Sequence, residues 1–187
     1  MPFWYKRMTM SGLTKKDLLL SLAAGILLFL SFPKFGQGIV AWFALVPFFA
    51  ALKGKTRVQG LRIGLVGGLV AQVGIIYWIT SVIVNFGYLP FYIGLCAMLL
   101  LAAYLALYPA LFAAGIVYFD EKGIPFMISA PVLWTSLEYA KSHLFTGFPW
   151  ENLAYSQYLY KPIIQIADIT GIYGVTFLIV WVNVLFY

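Results

Sequence analysis

An all-α, polytopic membrane bundle of about six transmembrane helices is the fold this sequence predicts, on three observations. Hydrophobic residues make up 63% of the 187 residues and charged ones only 10%, where soluble domains carry about a quarter of their residues charged. From Ile63 to Phe119 there is no Asp, Glu, Lys or Arg, a run too long for one membrane span and suited to two joined by a turn. The basic residues sit beside apolar runs rather than among polar helices, the placement expected of loops that flank spans. The net charge of +6 therefore points to membrane topology, and nucleic acid is excluded as a partner. One cysteine, Cys96, and one histidine, His143, exclude an internal disulfide and leave almost no ligands for a metal. No cofactor is implied.

The first predicted helix covers 18–32, after Lys6, Arg7, Lys15 and Lys16 and before Pro33. A signal peptide would begin the same way, but no small-x-small cleavage site follows the break at Phe32-Pro33-Lys34-Phe35. The second helix, 37–52, includes Pro47 and is closed by Lys53, Lys55, Arg57 and Arg62. The long uncharged stretch divides at Asn85-Phe86-Gly87-Tyr88-Leu89-Pro90, where turn formers cluster, giving helices at 63–84 and 90–118. Gly60, Gly64 and Gly68, with Gly67 beside them, form a small-xxx-small stripe that lets helix backbones approach closely in lipid. The third helix is thus expected to be central and packed. A fifth helix covers 124–140. A polar, irregular loop at 142–161 follows, and Pro162 opens a sixth helix over 163–187.

With six alternating spans, Lys6, Arg7, Lys15, Lys16, Lys53, Lys55, Arg57, Arg62 and Lys122 fall on one side. Lys34, Lys141 and Lys161 fall on the other. Nine against three places the amino terminus in the cytoplasm and turns the 142–161 loop outward. The closing Trp181 to Tyr187 is apolar, without a polar tail, which suggests a fragment that continues downstream.

Few residues offer chemistry. Cys96, among Leu95, Ala97 and Met98, reads as a buried, inert thiol with no cation to lower its pKa. Asp168, early in the sixth helix, reads as a structural partner or cap near the headgroup level, although intramembrane carboxylates are functional candidates by default. Glu138 and Lys141 stand at i, i+3 and read as a solvated or interfacial pair. Nothing around His143 or the nearby serines resembles a nucleophile elbow. The distinctive segment is Phe145 to Gln157, FTGFPWENLAYSQ. Its aromatics suit a bilayer boundary, Gly147 and Pro149 fix an irregular backbone, and Glu151, Asn152 and Gln157 add polar groups that could seat a lipid headgroup.

That segment, followed by Pro162, by Gly171 to Leu178 (GIYGVTFL) and by Val182-Asn183, resembles the membrane half of bacterial apolipoprotein N-acyltransferases. LSFPKFG (Leu30 to Gly36), AWFALVPFFAAL (Ala41 to Leu52), Tyr77-Trp78, FGYLP (Phe86 to Pro90), AAYLALYPALFA (Ala102 to Ala113) and APVLWTSLEY (Ala130 to Tyr139) match in the same order. The resemblance implies an inner-membrane enzyme that moves an acyl chain from a phospholipid to the amino-terminal cysteine of a diacylated lipoprotein. Its partners are then the phospholipid donor, the lipoprotein acceptor and membrane lipids. The family's Glu, Lys and Cys triad belongs to a nitrilase-like domain beyond the membrane helices. No catalytic residue is therefore assigned here, and Cys96, Lys141 and Glu151 are not given those roles. A seventh span and that domain are expected downstream of Tyr187. The resemblance implies that Phe148, Pro149 and Trp150 lie near the outward surface where lipid substrates enter; with Glu151, Tyr155 and Gln157 they are the predicted substrate-binding residues. Two other functions fit the composition: a noncatalytic lipid-binding scaffold, or a small transporter using Asp168, Glu138 and His143.

Overall fold

The computed structural model describes residues 12–187; Lys6 and Arg7 lie outside the described residues. Helix α1 runs Lys15–Ser31. Thr14 starts it with a reciprocal capping box: its hydroxyl accepts from the Asp17 N–H at 3.2 Å, and the Asp17 carboxylate accepts from the Thr14 N–H at 2.9 Å. The helix stops ahead of Pro33, as the backbone restriction before proline requires.

The predicted helix over 37–52 is not continuous. A 3-10 turn at Gly38–Trp42 leads into α2, Val46–Leu52, with Pro47 in its first turn. The break frees backbone groups that lipid cannot satisfy, and a distant side chain takes them up. The Asn183 amide accepts from the Leu45 N–H at 2.8 Å and donates to the Ala41 carbonyl at 2.8 Å.

Helix α3, Arg57–Ile76, begins with a second capping box, Thr56 with Gln59. It passes almost without interruption into α4, Trp78–Asn85, because Tyr77 between them keeps helical dihedral angles. Helix α5 spans Phe91–Glu121 and contains Pro109. The glycine stripe packs α3 on two sides. A methyl group added at Gly68 would lie 2.6 Å from the Pro109 ring, and one at Gly64 2.6 Å from the Ala110 Cα. On the other side, a methyl at Gly67 would meet the Ser21 carbonyl oxygen at 2.8 Å, and the Ser21 hydroxyl donates to the Ile63 carbonyl at 2.6 Å. Helix α3 is thus clamped between α1 and α5 at backbone-to-backbone distance, the arrangement small residues permit where lipid gives no hydrophobic drive.

Helix α6, Phe126–His143, follows a tight turn at Gly123. Two 3-10 turns, Pro149–Glu151 and Leu153–Gln157, organise the loop predicted to be irregular. The sixth predicted helix divides. A single turn, α7 at Lys161–Ile164, precedes α8, Ala167–Phe186, and α8 is kinked at Gly171 with φ 64° and ψ −175°, a conformation essentially reserved for glycine. Asp168 therefore lies on an exposed turn ahead of the kink, not within the straight apolar rod. Among the described residues, three helices are long and apolar enough to cross a membrane: Arg57–Ile76, Phe91–Glu121 and Ala167–Phe186. The other predicted spans are shorter, broken or charged: α1 has 17 residues, 38–52 is interrupted, and α6 carries Glu138 and Lys141.

The bundle has two distinct ends. At one, Lys55 pairs with Asp17 at 2.6 Å, Arg57 pairs with Glu121, and Tyr187 packs on Phe49 and Phe126. At the other, the Tyr158 hydroxyl donates to the Pro33 carbonyl and Lys34 lies over the Tyr77 ring. The first end holds Lys15, Lys16, Lys53, Lys55, Arg57 and Lys122. Burial disfavours the Asp17 carboxylate, but the Lys55 ammonium and the Thr14 donors outweigh that and hold its pKa below the ordinary value.

Two outcomes follow from this packing. Gly64→Leu and Gly68→Leu should each lower thermal stability in detergent, by about 1–3 kcal/mol or more as overpacking against backbone does. Gly12→Ala, where an added methyl meets nothing, should leave it unchanged. Asp17→Asn should destabilise at neutral pH. Because the folded-state pKa is depressed, that difference should be full at neutral pH, shrink as pH falls below the ordinary carboxylate pKa and vanish below the folded-state one; melting curves of both proteins from pH 7 down to about 2 read this directly.

Candidate functional site: a buried charged cluster under an aromatic loop

Trp134, Glu138 and Lys141 recur at i, i+4 and i+7 on α6, which puts them on one helix face. That face points inward. Glu138 is buried and does not pair with Lys141, contrary to the expectation of a solvated i, i+3 pair. Its Oε1 accepts from the Trp134 indole at 3.0 Å and from the Leu153 N–H at 2.7 Å. Its Oε2 accepts from the Thr176 hydroxyl at 2.7 Å. Thr176, on α8, in turn accepts from the Ala154 N–H at 3.2 Å. One carboxylate thus joins α6, α8 and the loop, with each oxygen hydrogen-bonded, as burial of a polar group requires.

Lys141 reaches across to the loop instead. Its Nζ lies 2.6 Å from Glu151 Oε1, with both side chains no more than 5% exposed, and Gln72 on α3 lies close to the same carboxylate. The Lys141 carbonyl accepts from the Phe148 N–H at 3.0 Å. The Ser142 hydroxyl donates to the Glu138 carbonyl and accepts from the Asn152 amide. Residues 148, 151, 152 and 153 are therefore all tied to the last turns of α6. The positive φ of Phe145 and Gly147 lets the chain turn back sharply enough to reach them.

The six sequence-predicted site residues divide on this base. Trp150 is 65% exposed, standing above the buried pair, with Phe148 edge-to-face behind it at 5.2 Å. Pro149 starts the 3-10 turn that carries both. Tyr155 is half-buried. Glu151 is buried in the ion pair. Gln157 is fully buried: its Oε1 accepts from the Trp42 indole at 3.0 Å, and its Nε2 donates to the Gly38 carbonyl and the Ser156 hydroxyl, both at 2.8 Å. Gln157 is thus committed to holding the loop onto the broken 38–52 segment. Glu138, Thr176, Gln72 and Trp134 belong to the cluster and were not singled out from the sequence as a group; the i, i+4, i+7 stripe was the available signal. His143 lies outside it, exposed, its ring against Tyr139 and its Nδ1 2.8 Å from the Tyr139 carbonyl oxygen. Cys96 is exposed on the flank of α5, which corrects the expectation of a buried thiol: an apolar neighbourhood in sequence does not say which helix face meets the bundle.

Beside the cluster lies a cavity of about 60 Å³ between α1, α3, α5 and α6. Gln72, Glu138, Lys141 and Glu151 form one wall, while residues such as Ala24, Leu28, Phe48 and Phe112 form the rest.

Apolar helices long enough to cross a membrane and a polar loop anchored on buried charge define an all-helical membrane domain. The chain belongs to the apolipoprotein N-acyltransferase N-terminal domain family, whose signature it matches over residues 24–185. It is 44% identical to the apolipoprotein N-acyltransferase of Geobacter metallireducens over 98% of this chain and 36% of that protein. The Pasteurella multocida protein of the same name is 34% identical over 88% of this chain and 31% of its own length. The Photobacterium profundum one is 32% identical over 89% and 32%. The chain spans about a third of the length of these relatives.

The buried pair makes its own prediction. Lys141→Met or Glu151→Gln alone leaves one charge without its partner and should cost about 3–5 kcal/mol, whereas Lys141→Met with Glu151→Gln should cost clearly less than the sum. A double-mutant cycle on thermal stability measures the coupling.

Proposed function

We propose that this chain is the membrane platform of an apolipoprotein N-acyltransferase, an enzyme of the bacterial inner membrane that transfers an acyl chain from a phospholipid to the amino-terminal cysteine amine of a diacylated lipoprotein. The platform supplies lipid access and positioning. The nucleophile belongs to sequence that the longer relatives have and this chain does not cover. By itself the chain is inactive.

The observation that carries this reading is the exposed Trp150 ring on a loop whose neighbours are fixed by buried charge. An interfacial anchor needs only an aromatic at the right depth. Here Phe148, Pro149 and Trp150 are held by bonds from Lys141 and Glu138 on both sides of the ring, an investment that suits a surface meeting a particular ligand. We assign Phe148, Pro149, Trp150 and Tyr155 to contact with the lipid substrates, and Glu151 and Gln157 to holding the loop that presents them. The gathering of Lys and Arg at the opposite end of the bundle supports an amino terminus in the cytoplasm and an outward-facing loop.

Trp150→Ala in the full-length enzyme tests this. Acyl transfer from phospholipid to an apolipoprotein peptide should fall roughly tenfold or more, a loss of about 1.4 kcal/mol or greater in transition-state stabilisation, at unchanged expression and melting temperature. Unchanged transfer would reduce Trp150 to an anchor.

A further inference from the structure

The charged cluster is not closed by protein atoms alone. Gln72 is 7% exposed and lines the cavity, and its Oε1 has no hydrogen-bond partner. Glu151 lines the same cavity, and its Oε1 is paired with the Lys141 ammonium at 2.6 Å and has no further hydrogen bond. A third polar side chain lines the same space. Tyr108 lines the cavity, and its hydroxyl is 2.7 Å from that of Tyr104. Whichever of the two donates, the other keeps a proton that this contact does not use. A buried acceptor left unpaired costs about 1–3 kcal/mol, and the cost rises in surroundings that offer no water.

The cavity is large enough, and has enough polar groups at its edge, to remove that cost. A buried water needs about 10–15 Å³ of such volume and two to four polar partners, so 60 Å³ accommodates about four. An acyl chain would suit the apolar walls of Leu28, Phe48 and Phe112, but it would leave Gln72 Oε1 without a partner.

We infer that the cavity is a binding site for a small cluster of ordered water inside the bundle, bridging Gln72 Oε1 to the Glu151 carboxylate and the Tyr108 hydroxyl. The water completes the acceptors on the cavity side of the ion pair, as Leu153, Trp134 and Thr176 complete Glu138. The inference concerns the bundle interior and does not depend on the acyl transfer reaction.

The test is a high-resolution structure of the full-length protein in lipid, with and without xenon pressure. Expected are discrete density peaks roughly 2.6–3.2 Å from Gln72 Oε1 and Glu151, and no xenon, which enters dry apolar cavities. Gln72→Met should lose the peak beside position 72, while one on Glu151 remains. Xenon in the wild-type cavity, elongated acyl density there, or no discrete peak would overturn the inference. So would a peak beside position 72 that survives in Gln72→Met. Should that variant fail to fold, the wild-type densities still decide.

Discussion

A lysine and two carboxylates buried among apolar helices impose a condition that much of this structure meets. Each charge must find donors or acceptors within the protein, because hydrocarbon supplies none. Glu138 finds three donors from its own helix, the loop and α8. Lys141 finds Glu151, ten residues further along the chain. Had the loop remained solvated beyond the helix ends, Lys141 and Glu138 would face the core unpaired, so the loop must fold inward. The inward fold in turn places Leu153 and Ala154 against α8 and fixes how α6 and α8 approach each other.

The same logic reassigns polar residues that look functional in a membrane sequence. Asn183 is fully buried in the last turn of an apolar helix, and Gln157 lies in the most varied loop. Both bond to backbone of the 38–52 segment, where Pro47 and the 3-10 turn interrupt the regular ladder. Irregular backbone at membrane depth is tolerated where neighbouring helices satisfy it, and here two side-chain amides do so. A broken span next to a conspicuous Asn or Gln is thus better read as one device than as a weak helix and a separate candidate site.

Much of the architecture is legible in the sequence because it follows from local rules. The glycine stripe on α3 announces a packed helix, and the Asn85 to Pro90 cluster marks the turn before α5. Partners set by the tertiary fold are not legible. Glu138 and Lys141 read as a pair because they are near in sequence, yet their partners, Thr176 and Glu151, are chosen by how the loop and α8 return. Gly171 stands in an apolar run where nothing local demands a positive φ, so the kink that leaves Asp168 exposed goes unseen. Cys96 fails differently: α5 is apolar all round, and an all-apolar helix carries no sequence signal for which face meets its neighbours.

This arrangement bears on how an ordered loop can be built at a bilayer boundary. A loop there competes with lipid for its own aromatic rings, and ordering it on each encounter would cost about 1–2 kcal/mol per backbone residue. Tying Phe148, Glu151, Asn152 and Leu153 to α6 moves that cost into folding, so the Trp150 ring is held already oriented. Buried charge suits the task better than more apolar packing. Apolar side chains can slide in lipid at little loss, whereas an ion pair and directed hydrogen bonds lose much of their energy when displaced by an ångström. The polar cluster under the loop is therefore best understood as the source of its register, and the aromatics above it as what that register presents.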